Sequence, residues 1–196
     1  MTVASVPYKI ILASNSPRRR ELLAGLDLDF EVKVIPGIEE TYPEGLPVEK
    51  IAQYLAEQKA EPYKGFLQKD ELVLTADTVV VVDEAVLGKP RDEEEARRML
   101  HLLSGRTHDV ITGVCFTTCA QQHSFSVSTR VTFALLSEDE IHYYINKYLP
   151  LDKAGAYGIQ EWIGYVGVKR LEGSYFNVMG LPVQRIWEEL KSFSKT

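Results

Sequence analysis

Asp77 lies inside the most apolar stretch of the chain, residues 71–82, flanked by Leu72, Val73 and Leu74 on one side and four valines on the other. A carboxylate there is costly to bury unless a lysine, an arginine, backbone donors or a metal ion answers it. Paired and buried, it is a candidate general base or metal ligand. The competing reading is a strand break that leaves Asp77 as a turn cap, but Thr78 and the valines beyond it continue the strand pattern. Lys59 is the second candidate. Ile51, Leu55 and Lys59 fall four apart on one helical face, so Lys59 either snorkels from an apolar stripe or carries charge to a phosphate. Lys89, between Gly88 and Pro90, is a further candidate phosphate contact, with plain exposure as the alternative. Glu39 and Glu40 sit in a polar loop, residues 36–47, and are solvated by default. If the loop folds toward Asp77, one of them would share a divalent cation with it, because Mg²⁺ takes one or two carboxylates plus substrate phosphate oxygens.

The stretch from Ser14 to Leu23 adds an anion site to that list. Pro17 suits the first helical position and Ser16 the N-cap, with Gly25 near the stop. Arg18, Arg19 and Arg20 crowd the first turn, where the helix dipole disfavours cations. They make sense around an anion held by backbone N–H groups, serines and guanidinium forks, or else as a solvated basic face. Gln160 ends a loop of glycine and small residues, 152–160, where the backbone approaches a ligand closely. Its amide would pair with the N3–H and O4 edge of uracil or thymine; flipped, it would pair with cytosine, so Gln160 alone does not explain specificity.

Composition narrows the classes. The 196 residues suit one domain over 1–196, or two small lobes sharing a sheet. The net charge of −6 argues against nucleic acid as a partner, which needs a basic footprint. No apolar run approaches the roughly 20 residues that span a bilayer, and the first eight residues do not read as a signal peptide. The expectation is a cytoplasmic protein with no membrane partner. Cys115 and Cys119 share one strand face, too close along one strand to bridge, and read as buried free thiols in a reducing compartment. His101, His108, His123 and His142 lack metal-ligand spacing. No serine-hydrolase elbow, P-loop or dinucleotide-binding glycine pattern occurs.

These side chains need elements to hold them. Strands are expected at 10–13, 29–35, 71–82, 85–87 and 162–170, with a hairpin of 109–119 and 124–135. Helices are expected from Pro17, over 48–61 and 91–103, from a capping box at Ser137–Glu140 to about Tyr148, and from Pro182 with Val183, Ile186, Trp187 and Leu190 inward. Residues 172–180 read as irregular or as a short helix. The mixed order of strands and helices predicts an α/β fold with a mixed sheet.

Several blocks in order resemble the Maf nucleotide pyrophosphatases over nearly the whole chain. They are Leu12-Ala13-Ser14 through Ser16-Pro17-Arg18-Arg19 to Glu21-Leu22-Leu23, Ala76-Asp77-Thr78-Val79-Val80, Leu87-Gly88-Lys89-Pro90, Leu103-Ser104-Gly105-Arg106-Thr107-His108, Asp152-Lys153-Ala154-Gly155-Ala156-Tyr157-Gly158-Ile159-Gln160, and Gly173-Ser174-Tyr175 to Gly180-Leu181-Pro182. The resemblance implies a fold like the inosine triphosphate pyrophosphatases, an elongated α/β body with a mixed β-sheet and a central cleft. It implies hydrolysis of a nucleoside triphosphate to monophosphate and pyrophosphate with a divalent metal cation, Mg²⁺ or Mn²⁺. Ser-Pro-Arg-Arg with Gly-Ile-Gln is similar to the branch acting on dTTP and UTP; the 7-methyl-GTP branch departs there. By position, Asp77 matches the catalytic acid/base, and Arg18, Thr78 and Gln160 match positions tied to substrate choice. Ser14, Arg19, Glu40, Lys59 and Lys89 match the remaining pocket residues, with Arg19, Lys59 and Lys89 toward phosphate and Glu40 with Asp77 toward the metal. Glu161, where many relatives have glycine, would alter the rim of the base pocket. Glu39, where aspartate is common, leaves the matched Glu40 in place. An apolar surface patch would suit a homodimer, as the resemblance suggests. Two rival readings are a pyrophosphatase for a modified or non-standard purine nucleotide and a non-catalytic nucleotide-binding regulator of cell division.

Overall fold

The computed structural model describes residues 6–193. In chain order the elements are β1 (Lys9–Leu12), α1 (Pro17–Ala24), β2 (Phe30–Val32), α2 (Val48–Ala60), β3 (Glu71–Val82), β4 (Ala85–Leu87), α3 (Glu93–Leu103), β5 (Thr107–Thr117), β6 (Gln122–Phe133), α4 (Glu138–Tyr148), α5 (Trp162–Gly167), β7 (Val168–Glu172), α6 (Tyr175–Val178) and α7 (Val183–Ser192). They form the expected mixed α/β fold. Seven strands make one sheet in the order β2-β1-β3-β5-β6-β7, with β4 beside β3. β1 is parallel to both β2 and β3, whereas β3–β4 and β6–β7 are antiparallel. No helix among the described residues is long and apolar enough to cross a membrane.

The chain divides into two compact units, one of Met1–Asp77, Thr112–Val127 and Gly180–Thr196, the other of Thr78–Ile111 and Ser128–Met179. In the first, α2 presses on the sheet through small residues. A Cβ added to Gly113 would lie 2.2 Å from Ala52 O, so the helix backbone rests directly on β5. Thr75 Oγ1 donates to Ala56 O at 2.6 Å, one helical turn further on. In the second, Val80, Leu100, Leu103, Val131, Phe133 and Tyr144 belong to one buried core.

Most of the expected elements are present. β3 runs unbroken through Asp77, and the 83–84 turn takes positive φ at both residues, as a tight two-residue hairpin requires. The capping box forms at Ser137 and Glu140. The strand expected at 29–35 stops at Val32, because the backbone of Ile35 turns away to take the Tyr63 hydroxyl as its acceptor at 2.9 Å. The helix expected from 91 starts at Glu93, where Asp92 caps the Glu95 N–H at 2.7 Å. The strand expected at 162–170 is replaced by α5 and the shorter β7. Ile163 and Gly167 are the inward residues there, four apart, and a side chain at Gly164 would collide with Ile159 O. The chain must coil tightly at that point rather than extend. Cys119 also differs from expectation. β5 ends at Thr117, so Cys115 is buried and Cys119 is exposed, and both are free. Burial pushes the Cys115 thiol up to about 11.

His108 is a buried core residue. Its Nε2 lies 2.8 Å from the Tyr157 hydroxyl, and burial holds the ring down to about 4. Between its ordinary value of 6.5 and that lowered value, the unfolded chain binds a proton that the folded chain refuses, so stability falls as pH drops through this window. The cost by pH 5 is about 2 kcal/mol. Urea unfolding at pH 7 and pH 5 is expected to show that loss in the native sequence, and a His108→Asn variant is expected to lose less stability over the same interval.

Candidate active site

The candidate residues of the first unit gather where β1 and β3 end their pairing. The parallel register sets Leu12 opposite Leu74, and Ala13 N–H continues the ladder to Leu74 O at 2.9 Å. Ser14 leaves the strand buried, and its hydroxyl accepts from Ser16 N–H at 3.2 Å. Ser16 then caps α1 by accepting from Arg19 N–H at 3.4 Å, with Pro17 in the first turn. The two serines thus shape the turn that presents the arginines.

The three arginines take different roles. Arg20 is exposed, and Arg18 is half-buried. Arg19 turns inward: Nε donates to Gly180 O and NH1 to Ala76 O, both at 2.8 Å. Burial lowers its guanidinium below the ordinary value, and nearby Asp77 opposes that shift. The residue immediately before Asp77 is therefore pinned by Arg19, a role its position in a basic run did not reveal. Arg20→Ala is expected to leave activity and stability near wild type, whereas Arg19→Ala is expected to lower both. Turnover assays and thermal melts of the two variants check this.

Asp77 is 7% exposed, and its partner is Lys59. Nζ lies 2.5 Å from Asp77 Oδ1 and 3.0 Å from Glu40 Oε1. Lys59 therefore does not snorkel outward; it crosses from α2 to the same face of β3 that offers Thr75 to Ala56. The 36–47 loop brings Glu40, not Glu39, to this ammonium. Oδ2 of Asp77 carries no protein hydrogen bond among the described residues. Among the same residues, no group of three histidine, cysteine or acidic side chains converges as a metal cage. Two carboxylates meeting on one cationic point nonetheless suit a hard divalent ion that completes its shell with water and phosphate oxygens.

Thr78, Lys89 and Gln160 belong to the second unit. Thr78 is half-buried in β3. Lys89 is exposed just past β4, next to Gly88, whose carbonyl accepts from Gly155 N–H at 3.0 Å. Gln160 is half-buried, and its buried Oε1 has no hydrogen-bond partner among the described residues. Glu161 is half-buried. Its carboxylate folds inward to Lys153 Nζ, at 3.1 Å, and to the Tyr144 hydroxyl. Sequence reasoning passed over Lys153 and Tyr144. The one available signal was a lysine set among the small residues of the 152–160 loop.

The fold is shared with the Staphylococcus aureus Ham1 protein, at a TM-score of 0.56 and 16% identity over 94% of this chain and 98% of that one. Sequence similarity is much closer elsewhere. The chain is 62% identical over 184 residues to a dTTP/UTP pyrophosphatase of Phocaeicola vulgatus, covering 94% of this chain and 95% of the relative. It is 59% identical over 191 residues to a dTTP/UTP pyrophosphatase of Porphyromonas gingivalis, covering 96% of each. The family model described as Maf-like protein matches residues 9–193. This protein therefore belongs to the Maf family.

Proposed function

We infer that this chain is a hydrolase that converts dTTP and UTP to the nucleoside monophosphate and pyrophosphate. The observation that carries the reading is the 62% identity to a dTTP/UTP pyrophosphatase across 94% of the chain. The chemistry of the site supports it. Asp77 Oδ2 orients a water and takes its proton as the oxygen attacks the α-phosphorus; Oδ1 remains on Lys59. Arg18, Lys59 and Lys89 offset the triphosphate charge and that of the departing pyrophosphate, while Arg19 holds the Ala76 carbonyl and so the strand beneath Asp77. Ser14 sets the turn around the anion. Positioning and electrostatic stabilisation supply most of the rate. Glu40 and Asp77 would hold Mg²⁺ or Mn²⁺, which when bound polarises phosphate oxygens and neutralises charge. Thr78 and Gln160 select the base, Gln160 through the two ends of its amide. The enzyme works in the cytoplasm, as a homodimer.

A substrate panel tests this directly. Pyrophosphate release is expected from UTP and dTTP, and not from purine triphosphates, and chelation with EDTA is expected to stop it until Mg²⁺ or Mn²⁺ returns. Turnover of a purine triphosphate with UTP and dTTP untouched would overturn the substrate assignment.

A further inference from the structure

β7 closes one side of the sheet. It pairs with β6, through Arg130↔Glu172, Val131↔Leu171 and Thr132↔Arg170, and no other described strand lies beside it. A register shift between Thr132 and Phe133 skips Lys169, so the regular part of β7 is Arg170–Glu172. Such an edge offers unpaired N–H and C=O groups to another chain. Side chains alternate along it. Leu171 packs against the buried core, while Arg170 and Glu172 share the opposite, exposed face, with Arg170 Nε 2.8 Å from Glu172 Oε1. The residues flanking the strand are apolar and exposed. Tyr165, 83% exposed, and Val166 precede it on α5; Tyr175 and Phe176 follow it on α6, with ring centroids 5.9 Å apart. Burial and then Tyr165 raise the Tyr175 phenol, so rings from before and after β7 converge. Three exposed aromatic rings and a valine beside an open strand edge have the composition of a protein-binding surface. Charged side chains on an edge ordinarily repel a visiting strand. The spacing of Arg170 and Glu172 does the reverse for one visitor.

We propose that the outer edge of β7 is where two copies of this chain join, β7 to β7 and antiparallel, about a two-fold axis at Leu171. The proposal deepens the homodimer in the function inferred above and rests on that part of the reading. In this register Leu171 faces Leu171 of the second copy, Arg170 faces its Glu172, and Glu172 faces its Arg170. Opposite charges directly across two strands stabilise the pair, and like charges destabilise it. Moving the centre by one residue sets Arg170 on Arg170 or Glu172 on Glu172, so the charges fix the register as well as the partner. The strand is thus its own complement. A contact of this kind uses the same patch twice and leaves neither edge open. The regular segment is short, and the exposed rings on α5 and α6 supply apolar contact beside it.

Sedimentation velocity on the full chain tests this, with Arg170→Glu, Glu172→Arg and the double substitution. The wild type is expected at twice the chain mass. Each single variant sets like charges across the axis at two symmetric positions, and is expected to weaken dimerisation roughly tenfold or more. The double substitution restores opposite charges and is expected to dimerise like the wild type. An equimolar mixture of the two single variants separates the contact from effects within one chain. An all-acidic edge then meets an all-basic one, and the mixture is expected to return to the dimer mass although neither variant dimerises well alone. Loss of the Arg170–Glu172 pair inside one chain cannot produce that result. Tyr165→Ser changes a side chain that the fold leaves exposed, and is expected to weaken dimerisation with native circular dichroism retained. A monomeric wild type would overturn the proposal. So would single variants that dimerise as tightly as the wild type, or a mixture that stays monomeric. UTP turnover is assayed on the wild type in parallel: its absence with the dimer intact would overturn the substrate assignment and leave the interface standing.

Discussion

Asp77→Asn is expected to cut kcat for UTP by about 10²–10⁴-fold, the range that a positioned general base contributes. The substitution is nearly isosteric. Asparagine keeps a carbonyl oxygen for Lys59 Nζ, now 2.5 Å from Oδ1, but it cannot take a proton from water. The fold has reason to survive. Removing one partner of a buried ion pair strands the other charge, but here Lys59 retains Glu40 at 3.0 Å. The loss is therefore expected in turnover rather than in assembly. Stopped assays of pyrophosphate release at saturating UTP measure it, with calorimetry of nucleotide binding and a thermal melt showing that the variant is folded and still binds. Turnover near the wild-type value would remove Asp77 from the mechanism. Asp77→Ala is the poorer experiment, because it takes away the acceptor as well as the base.

Gly113→Ala carries the largest expected effect on stability, on the order of 3 kcal/mol or more, at or above the top of the range for an overpacked core. The added methyl carbon would stand 2.2 Å from Ala52 O and 2.3 Å from Gln53 N, both backbone atoms of α2. A clash with a side chain relaxes by rotation, but a clash with helix backbone has no such outlet, so α2 must lift off the sheet. The consequence reaches the site. α2 brings Lys59 to Asp77, and its second anchor, Thr75 Oγ1 on Ala56 O at 2.6 Å, lies between the collision and that lysine. A helix displaced at Ala52 carries Lys59 with it. Urea unfolding is expected to show the lost stability, and the folded fraction is expected to turn over UTP more slowly. A Gly113→Ala protein of native stability would mean that α2 does not bear on β5 there.

Alternation and capping made much of the fold legible. The Val-rich run around Asp77, the Asp83-Glu84 turn, the capping box at Ser137 and the Ser16–Pro17 helix start are all local: each depends on residues within a few positions, and each is present. Residues 162–167 failed as a strand for the opposite reason. Trp162, Ile163, Tyr165 and Val166 satisfy either period, and the close approach of Gly164 to Ile159 O decided for a helix. Cys119 failed because the end of a strand is set by its partner's turn, here Thr118 N–H to Gln121 O, rather than by its own alternation.

The site divides along the same line. The sequence alone determined that Asp77 is an acid in an apolar strand, that Lys59 rides an apolar helix face, that arginines crowd the start of α1, and that Gln160 ends a small-residue loop. Residue type and period carry that information without reference to any distant segment. Only the tertiary structure decided that Lys59 is the cation answering Asp77 and Glu40, that Arg19 spends its donors on Ala76 and Gly180 carbonyls, and that Glu161 turns inward to Tyr144 and Lys153. A charged side chain goes wherever its desolvation is best repaid. That place depends on donors and acceptors brought near by packing, over separations of 18 residues for Lys59 and 161 for Arg19, which no local pattern records.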